Sequence, residues 1–202
     1  MLRMPTQVGH GDDEAPEHFD SELLHRPNVR LYGPIDDALV RDCLKQIQAA
    51  RDASEPLVME LTTEGGDAEG GRRIALEVRL YREWHKQETY FVGKTAVMSA
   101  GVTIMAAFPK ACRFLTPDTE LLIHERRLQK TLSLDGPIRA NIQIVREMLS
   151  QLESAERIEK DGFSELVKGS RITLDELYRR SITCLYLPAA EALKLELIAG
   201  VV

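Results

Sequence analysis

The sequence predicts an α/β fold built on a mostly parallel sheet. Short apolar runs of strand character alternate with amphipathic stretches of helical period, and Gly- or Pro-containing turns separate them. The composition is that of an ordinary globular chain: 44% hydrophobic and 29% charged residues exclude global disorder, and 202 residues suffice for one domain with a real core. Residues 1–18 are polar and acidic with Gly and Pro and read as a flexible arm; a single domain is expected over 19–202, with order beginning near Phe19.

The elements follow in order. VRLYG (29–33) reads as a short strand, and after Pro34 the residues Leu39, Cys43, Leu44 and Ile47 fall at helical spacing. PLVMELTT (56–63) is a strand that stops at EGGDAEGG, and RRIALEVRLYREWHKQ (72–87) is a helix on which Tyr81 and Trp84 are expected to pack. TYFVG (89–93) is the next strand, and an apolar helix follows Ser99. CRFLT (112–116) and ELLIH (120–124) are further strands. Beyond Asp135-Gly136-Pro137, Ile138, Ile142, Val145, Leu149 and Leu152 recur at steps of three or four, which makes a long amphipathic helix over about 137–167. That helix either packs on its own sheet or serves a subunit contact. Thr173-Leu-Asp-Glu176 is a capping box, and Pro188 stands near the first turn of the last helix.

Several function classes drop out. The net charge is −6 and there is no basic stripe with interleaved aromatics, so nucleic acid is not an expected partner. No run approaches the ~20 apolar residues of a membrane span, and the N-terminal stretch has no apolar block of a secretory signal. Three scattered cysteines suit free thiols in a reducing compartment, so a cytoplasmic location is expected. The histidines (His10, His18, His25, His85, His124) show no metal-ligand spacing, and no metal or cofactor is expected.

Three features at successive strand ends carry chemistry. Gly65-Gly66 lets the backbone approach a ligand with free N–H groups, although GGxxxGG is neither a dinucleotide fingerprint nor a phosphate loop. Ser99 stands at a strand-to-helix turn, where a serine is either a cap or a nucleophile. His124 closes a strand, where a packed core residue is the ordinary reading. Together they could supply a nucleophile, a base and oxyanion donors.

The blocks RLYGPIDD, LTTEGGDAEGG, MSAGVTIMAAFPKACRFLTPDTELLIHE and YLPAAEA resemble, in order, the Clp protease proteolytic subunit (ClpP) family from about Val29 to the C-terminus. The resemblance implies the ClpP/crotonase fold, a spiral of β-β-α units with a long protruding helix, and assembly into homo-oligomeric rings. It also implies a serine peptidase acting on peptides or unfolded protein, with Ser99 as nucleophile and His124 as base. The N–H groups of Gly66 and Ala100 would form the oxyanion hole.

The chain departs from the family pattern at four points. Cys184 occupies the position of the third, acidic member of the triad; Asp175 and Glu176 are nearby acids without an assigned role. The loop ERRLQKTLSLDGP lacks the usual Pro and Gly-rich strand, and Glu64 replaces the proline before Gly-Gly, which puts an acid beside the oxyanion hole. The N-terminal arm does not resemble the family's axial-loop segment, which argues against docking to an AAA+ unfoldase. A catalytically inactive ring subunit and a crotonase-type acyl-CoA enzyme are the alternative readings; the latter chemistry has no need of the serine and histidine.

Overall fold

A computed structural model describes residues 21–202; the arm over 1–18 and the start near Phe19 lie outside them. Strands β1 (Val29–Tyr32), β2 (Leu57–Thr63), β3 (Thr89–Met98), β4 (Arg113–Leu115) and β7 (Gly200–Val201) pair in parallel in that order. Strand β5 (Glu120–Ile123) runs parallel to the second half of β3, and β6 (Leu185–Pro188) pairs antiparallel with β5. The helices are α1 (Asp37–Asp52), α2 (Ala68–His85), α3 (Ala100–Ala106), α4 (Ile138–Val167), α5 (Leu174–Ser181) and α6 (Ala189–Lys194).

Local chemistry sets the boundaries. The Asp36 carboxylate accepts from the N–H groups of Ala38 and Leu39 at 2.9 and 2.8 Å and starts α1. Asp67 does the same for Gly70 at 2.7 Å, so α2 begins at Ala68 and runs through the second glycine pair rather than after it. The predicted capping box is present in part: the Thr173 hydroxyl accepts from Glu176 N–H and opens α5.

Strand β3 is longer than its sequence suggests. Its first half pairs with β4; then the register jumps, and Ala96–Met98 pair with Glu120–Leu122 of β5. Polar Lys94 and Thr95, the latter at φ 60°, break the apolar run at the point where the strand changes neighbour. This bend splits the sheet edge and carries Ser99 toward the end of β5.

Both faces of the central strands are covered, as parallel sheets require. Met59, Leu61, Phe91 and Val97 face the main core with Ile74, Val78, Tyr81 and Ile104, while Val58, Tyr90, Val92 and Phe114 face a smaller cluster closed by Leu24. Tyr81 is buried as expected. Trp84, one position past it on the helix period, is 72% exposed and packs into no core.

Buried Arg113 ties three regions together. Its guanidinium donates to the carbonyl oxygens of Ala106 at the end of α3, Phe108 just beyond it, Leu166 of α4, and Leu197. Elsewhere α4 stands away from the sheet, and its single buried residue is Leu166. The helix is 30 residues long, and Ile138, Ile142, Val145, Leu149 and Leu152 are all exposed along it. Among the described residues no helix is long and apolar enough to cross a membrane.

Candidate active site

The nucleophile candidate stands on strained backbone. Ser99 follows β3 directly and precedes α3, with φ 54° and ψ −115°, a combination that a residue with a Cβ adopts at a cost. Its N–H donates to Leu122 O at 2.8 Å, which locks the turn to β5. Its hydroxyl makes no capping bond to α3, and among the described residues Ser99 Oγ has no hydrogen-bond partner. The cap reading therefore fails for this serine.

Beside it lies the turn after β2. Gly65 and Gly66 have φ +105° and +142°, outside the range of other residues. A Cβ on Gly65 would stand 2.8 Å from Ser99 Cβ, and one on Gly66 would stand 2.4 Å from Ile35 O. The chain is pinned there by Ile35 N–H to Gly65 O at 2.8 Å and Asp67 N–H to Ile35 O at 2.7 Å. The Gly66 N–H, between those two bonds, has no partner among the described residues. The Ala100 N–H opens α3, where no intrahelical acceptor exists. Both residues, Gly66 and Ala100, line the same cavity as Ser99.

His124 is half-buried at the end of β5. Gly66, Ser99, Ala100 and His124 line one cavity of about 1190 Å³ that opens between α2, α3 and α4. Ser99 and His124 share no hydrogen bond; His124 Nδ1 instead lies 2.7 Å from the main-chain oxygen of Glu125. The register of β5 with β6 pairs Ile123 with Leu185, so the next residue on each strand end is His124 and Cys184. The Cys184 thiol does not bond the imidazole. Its Sγ receives the Arg127 guanidinium at 3.5 Å.

The other acids singled out in the sequence lie elsewhere. Glu64 points to solvent and does not line the cavity, because the residues of β2 alternate faces up to the turn. Asp175 and Glu176 sit on α5 outside the lining, where Glu176 pairs with Arg180.

Sequence reading missed the charged residues that shape the cavity wall. Arg126 pairs with Glu69 of α2 at 2.7 Å, and its N–H donates to the Glu159 carboxylate of α4. Hydrogen bonding from Arg126, with Arg72 adding to it, holds the Glu69 carboxyl below the ordinary range. Burial first, and then the Glu159, Glu156 and Glu125 carboxylates, push the Tyr178 phenol up to about 12. In the sequence the only signal was the pair Arg126-Arg127, two positions after His124; nothing linked it to a glutamate 33 positions on. The other two cysteines are inert by position, since burial above all pushes Cys43 up to about 12 and Cys112 up to about 11.

With this geometry in place the comparisons with known proteins are direct. A family profile described as Clp protease matches residues 12–202. The chain belongs to the Clp protease family. It is 31% identical over 164 residues to an ATP-dependent Clp protease proteolytic subunit of Paracoccus denitrificans, covering 77% of this chain and 80% of that one. It is 30% identical over 132 residues to an ATP-dependent Clp protease proteolytic subunit 2 of Pseudomonas aeruginosa, covering 64% of this chain and 61% of the relative. A solved ClpP1 mutant from Listeria monocytogenes superposes with a TM-score of 0.69 at 21% identity, over 90% of this chain and 94% of that one. The architecture is therefore the ClpP fold, in a divergent member of the family.

Proposed function

We propose that this Clp protease family member is a serine peptidase that cleaves peptides or unfolded protein by acyl transfer. Ser99 Oγ attacks the scissile carbonyl carbon while His124 takes its proton. The oxygen that becomes negative is met by the N–H groups of Gly66 and Ala100. Collapse of the tetrahedral species breaks the C–N bond, and His124 returns the proton to the departing amine. Water then repeats the sequence on the ester to release the acid and restore Ser99. One observation carries this reading: Ser99 stands on strained backbone with no partner for its hydroxyl among the described residues, in one cavity with His124, Gly66 and Ala100. Strain of that kind persists only where the surroundings enforce it.

The assembly proposed is a homo-oligomeric ring. Five exposed apolar residues of α4, Ile138, Ile142, Val145, Leu149 and Leu152, fall at alternating steps of four and three, the spacing of a helix seam that packs on a second helix. A stripe of that length left in water calls for a second copy of the chain. The relatives' names carry ATP dependence. This chain has no phosphate loop, so an ATP-driven activity would require a separate AAA+ unfoldase, and the N-terminal arm does not resemble the family segment that docks one. A reducing, cytoplasmic setting fits its three unpaired thiols.

A second reading, an inactive ring subunit, is favoured by the missing Ser99–His124 hydrogen bond and by the thiol at position 184. Catalytic hydrogen bonds are often unformed without substrate, which keeps the peptidase reading ahead. A fluorophosphonate probe decides between them. Labelling of the wild type and its loss in Ser99→Ala supports the peptidase, with both proteins sedimenting as oligomers. An unlabelled wild type that still assembles supports the inactive subunit.

A further inference from the structure

Among the described residues no carboxylate bonds the imidazole of His124, and the side chain on the neighbouring strand end is already taken: Cys184 Sγ is held by Arg127. A protein that uses His124 as a base needs some other group to fix its tautomer and to favour its charged form.

The peptide group joining Glu125 to Arg126 is hydrogen-bonded at both ends. Its carbonyl oxygen lies 2.7 Å from His124 Nδ1. Its N–H donates to the Glu159 carboxylate. A carbonyl oxygen only accepts, so Nδ1 carries the proton, and in the neutral imidazole the lone pair is then on Nε2. An amide whose N–H is bound by an anion carries more negative charge on its oxygen, because hydrogen bonds in a chain polarise one another. The order Glu159 carboxylate, peptide 125–126, imidazole is such a chain.

We propose that Glu159 replaces the missing triad acid, acting on His124 through the 125–126 peptide as a positioning residue. It rests on the reading of Ser99 and His124 as nucleophile and base.

The peptide is held from two other directions. The Arg126 side chain reaches Glu69 of α2, which Arg72 steadies in turn at 2.5 Å. On α4, Phe163 lies one helical turn beyond Glu159 and packs on Tyr178 of α5, ring centroids 5.1 Å apart. The carboxylate and the peptide are therefore fixed by separate elements. The other carboxylates nearby, Glu125 and Glu156, make no bond to His124 among the described residues.

Glu159→Gln tests the chain, since the amide oxygen still accepts from Arg126 N–H but the charge is gone. For the full-length protein, kcat on a fluorogenic peptide should fall about tenfold with KM unchanged, because a charge-assisted hydrogen bond is about twice as strong as a neutral one. In side-chain NMR spectra of isotope-labelled histidine, the His124 proton should sit on Nδ1, far downfield, and move upfield in the variant. Glu83→Gln, an equal loss of charge on α2 at a residue that does not line the cavity, should change neither. Wild-type kcat and an unmoved Nδ1–H resonance in Glu159→Gln would overturn the proposal, as would a proton found on Nε2 in the wild type. If Ser99→Ala keeps full peptidase activity, the nucleophile assignment is what has failed, and the His124 resonance alone then judges the chain to Glu159.

Discussion

Ser99 and Gly66 stand on backbone that their neighbours leave no room to change, whereas His124 stands before a loop held by side chains from two helices. On the serine side, left-handed backbone, a parallel bridge to Ile35 and the bond from Ser99 N–H to Leu122 O leave each group one position. On the histidine side, Glu69, Glu159 and Arg127 fix the loop by ion pairs and hydrogen bonds that other residues could replace. A site half built by steric exclusion and half by exchangeable polar contacts diverges first in the second half. The resemblance read from the sequence fits this: it carries over Gly65-Gly66, Ser99 and His124, and it meets Cys184 where it expects the acid.

Gly66→Ala should break the rigid half most severely. The new Cβ would meet main-chain atoms of Ile35 at 2.4 and 2.8 Å, and backbone cannot turn aside as a long side chain does. With φ at +142° the strain adds to the clash, and a loss of about 3 kcal/mol is expected in a denaturant melt. A melt within 0.5 kcal/mol of wild type, roughly what a neutral surface change gives, would show that this turn yields.

A smaller effect of opposite sign is expected at Ser99. Ser99→Gly removes the Cβ that makes φ 54° costly, whereas Ser99→Ala keeps it. The glycine variant should be more stable than the alanine variant by about 1 kcal/mol, seen as a melting point ~3 °C higher. Equal melting points would mean that the serine backbone stores no strain.

The same contrast explains what was legible in the sequence. Gly65, Gly66 and Ser99 were readable as a turn because sterics tie residue type to backbone there, and His124 only by its place at the end of a predicted strand. The split of β3 was not, because Gly93 closes an apolar run and the second half is defined only by its new partner, β5. The start of α2 was hidden by the glycine pair that Asp67 caps. Glu159 was invisible for a different reason: it acts on a main-chain N–H, and a main-chain partner leaves no residue type to recognise.

The smallest effect is expected at Cys184, where the histidine side can be rewired. The backbone there has φ 65°, a conformation that aspartate tolerates better than most residues, so Cys184→Asp should fold. The new carboxylate would nevertheless meet the Arg127 guanidinium first, since that group already reaches Sγ at 3.5 Å. An exposed ion pair of this kind adds under about 1 kcal/mol of stability, and kcat should stay near wild type. Combining Cys184→Asp with Arg127→Gln frees the carboxylate to turn toward the imidazole on the neighbouring strand end. A carboxylate accepts from Nδ1–H more strongly than a carbonyl does, so kcat should rise by about threefold. In that double variant the added loss of Glu159 should matter little, because the peptide no longer orients His124. A rise in kcat from Cys184→Asp alone would show that Arg127 does not hold the thiol. A double variant as sensitive to Glu159→Gln as the wild type would show that position 184 does not reach His124.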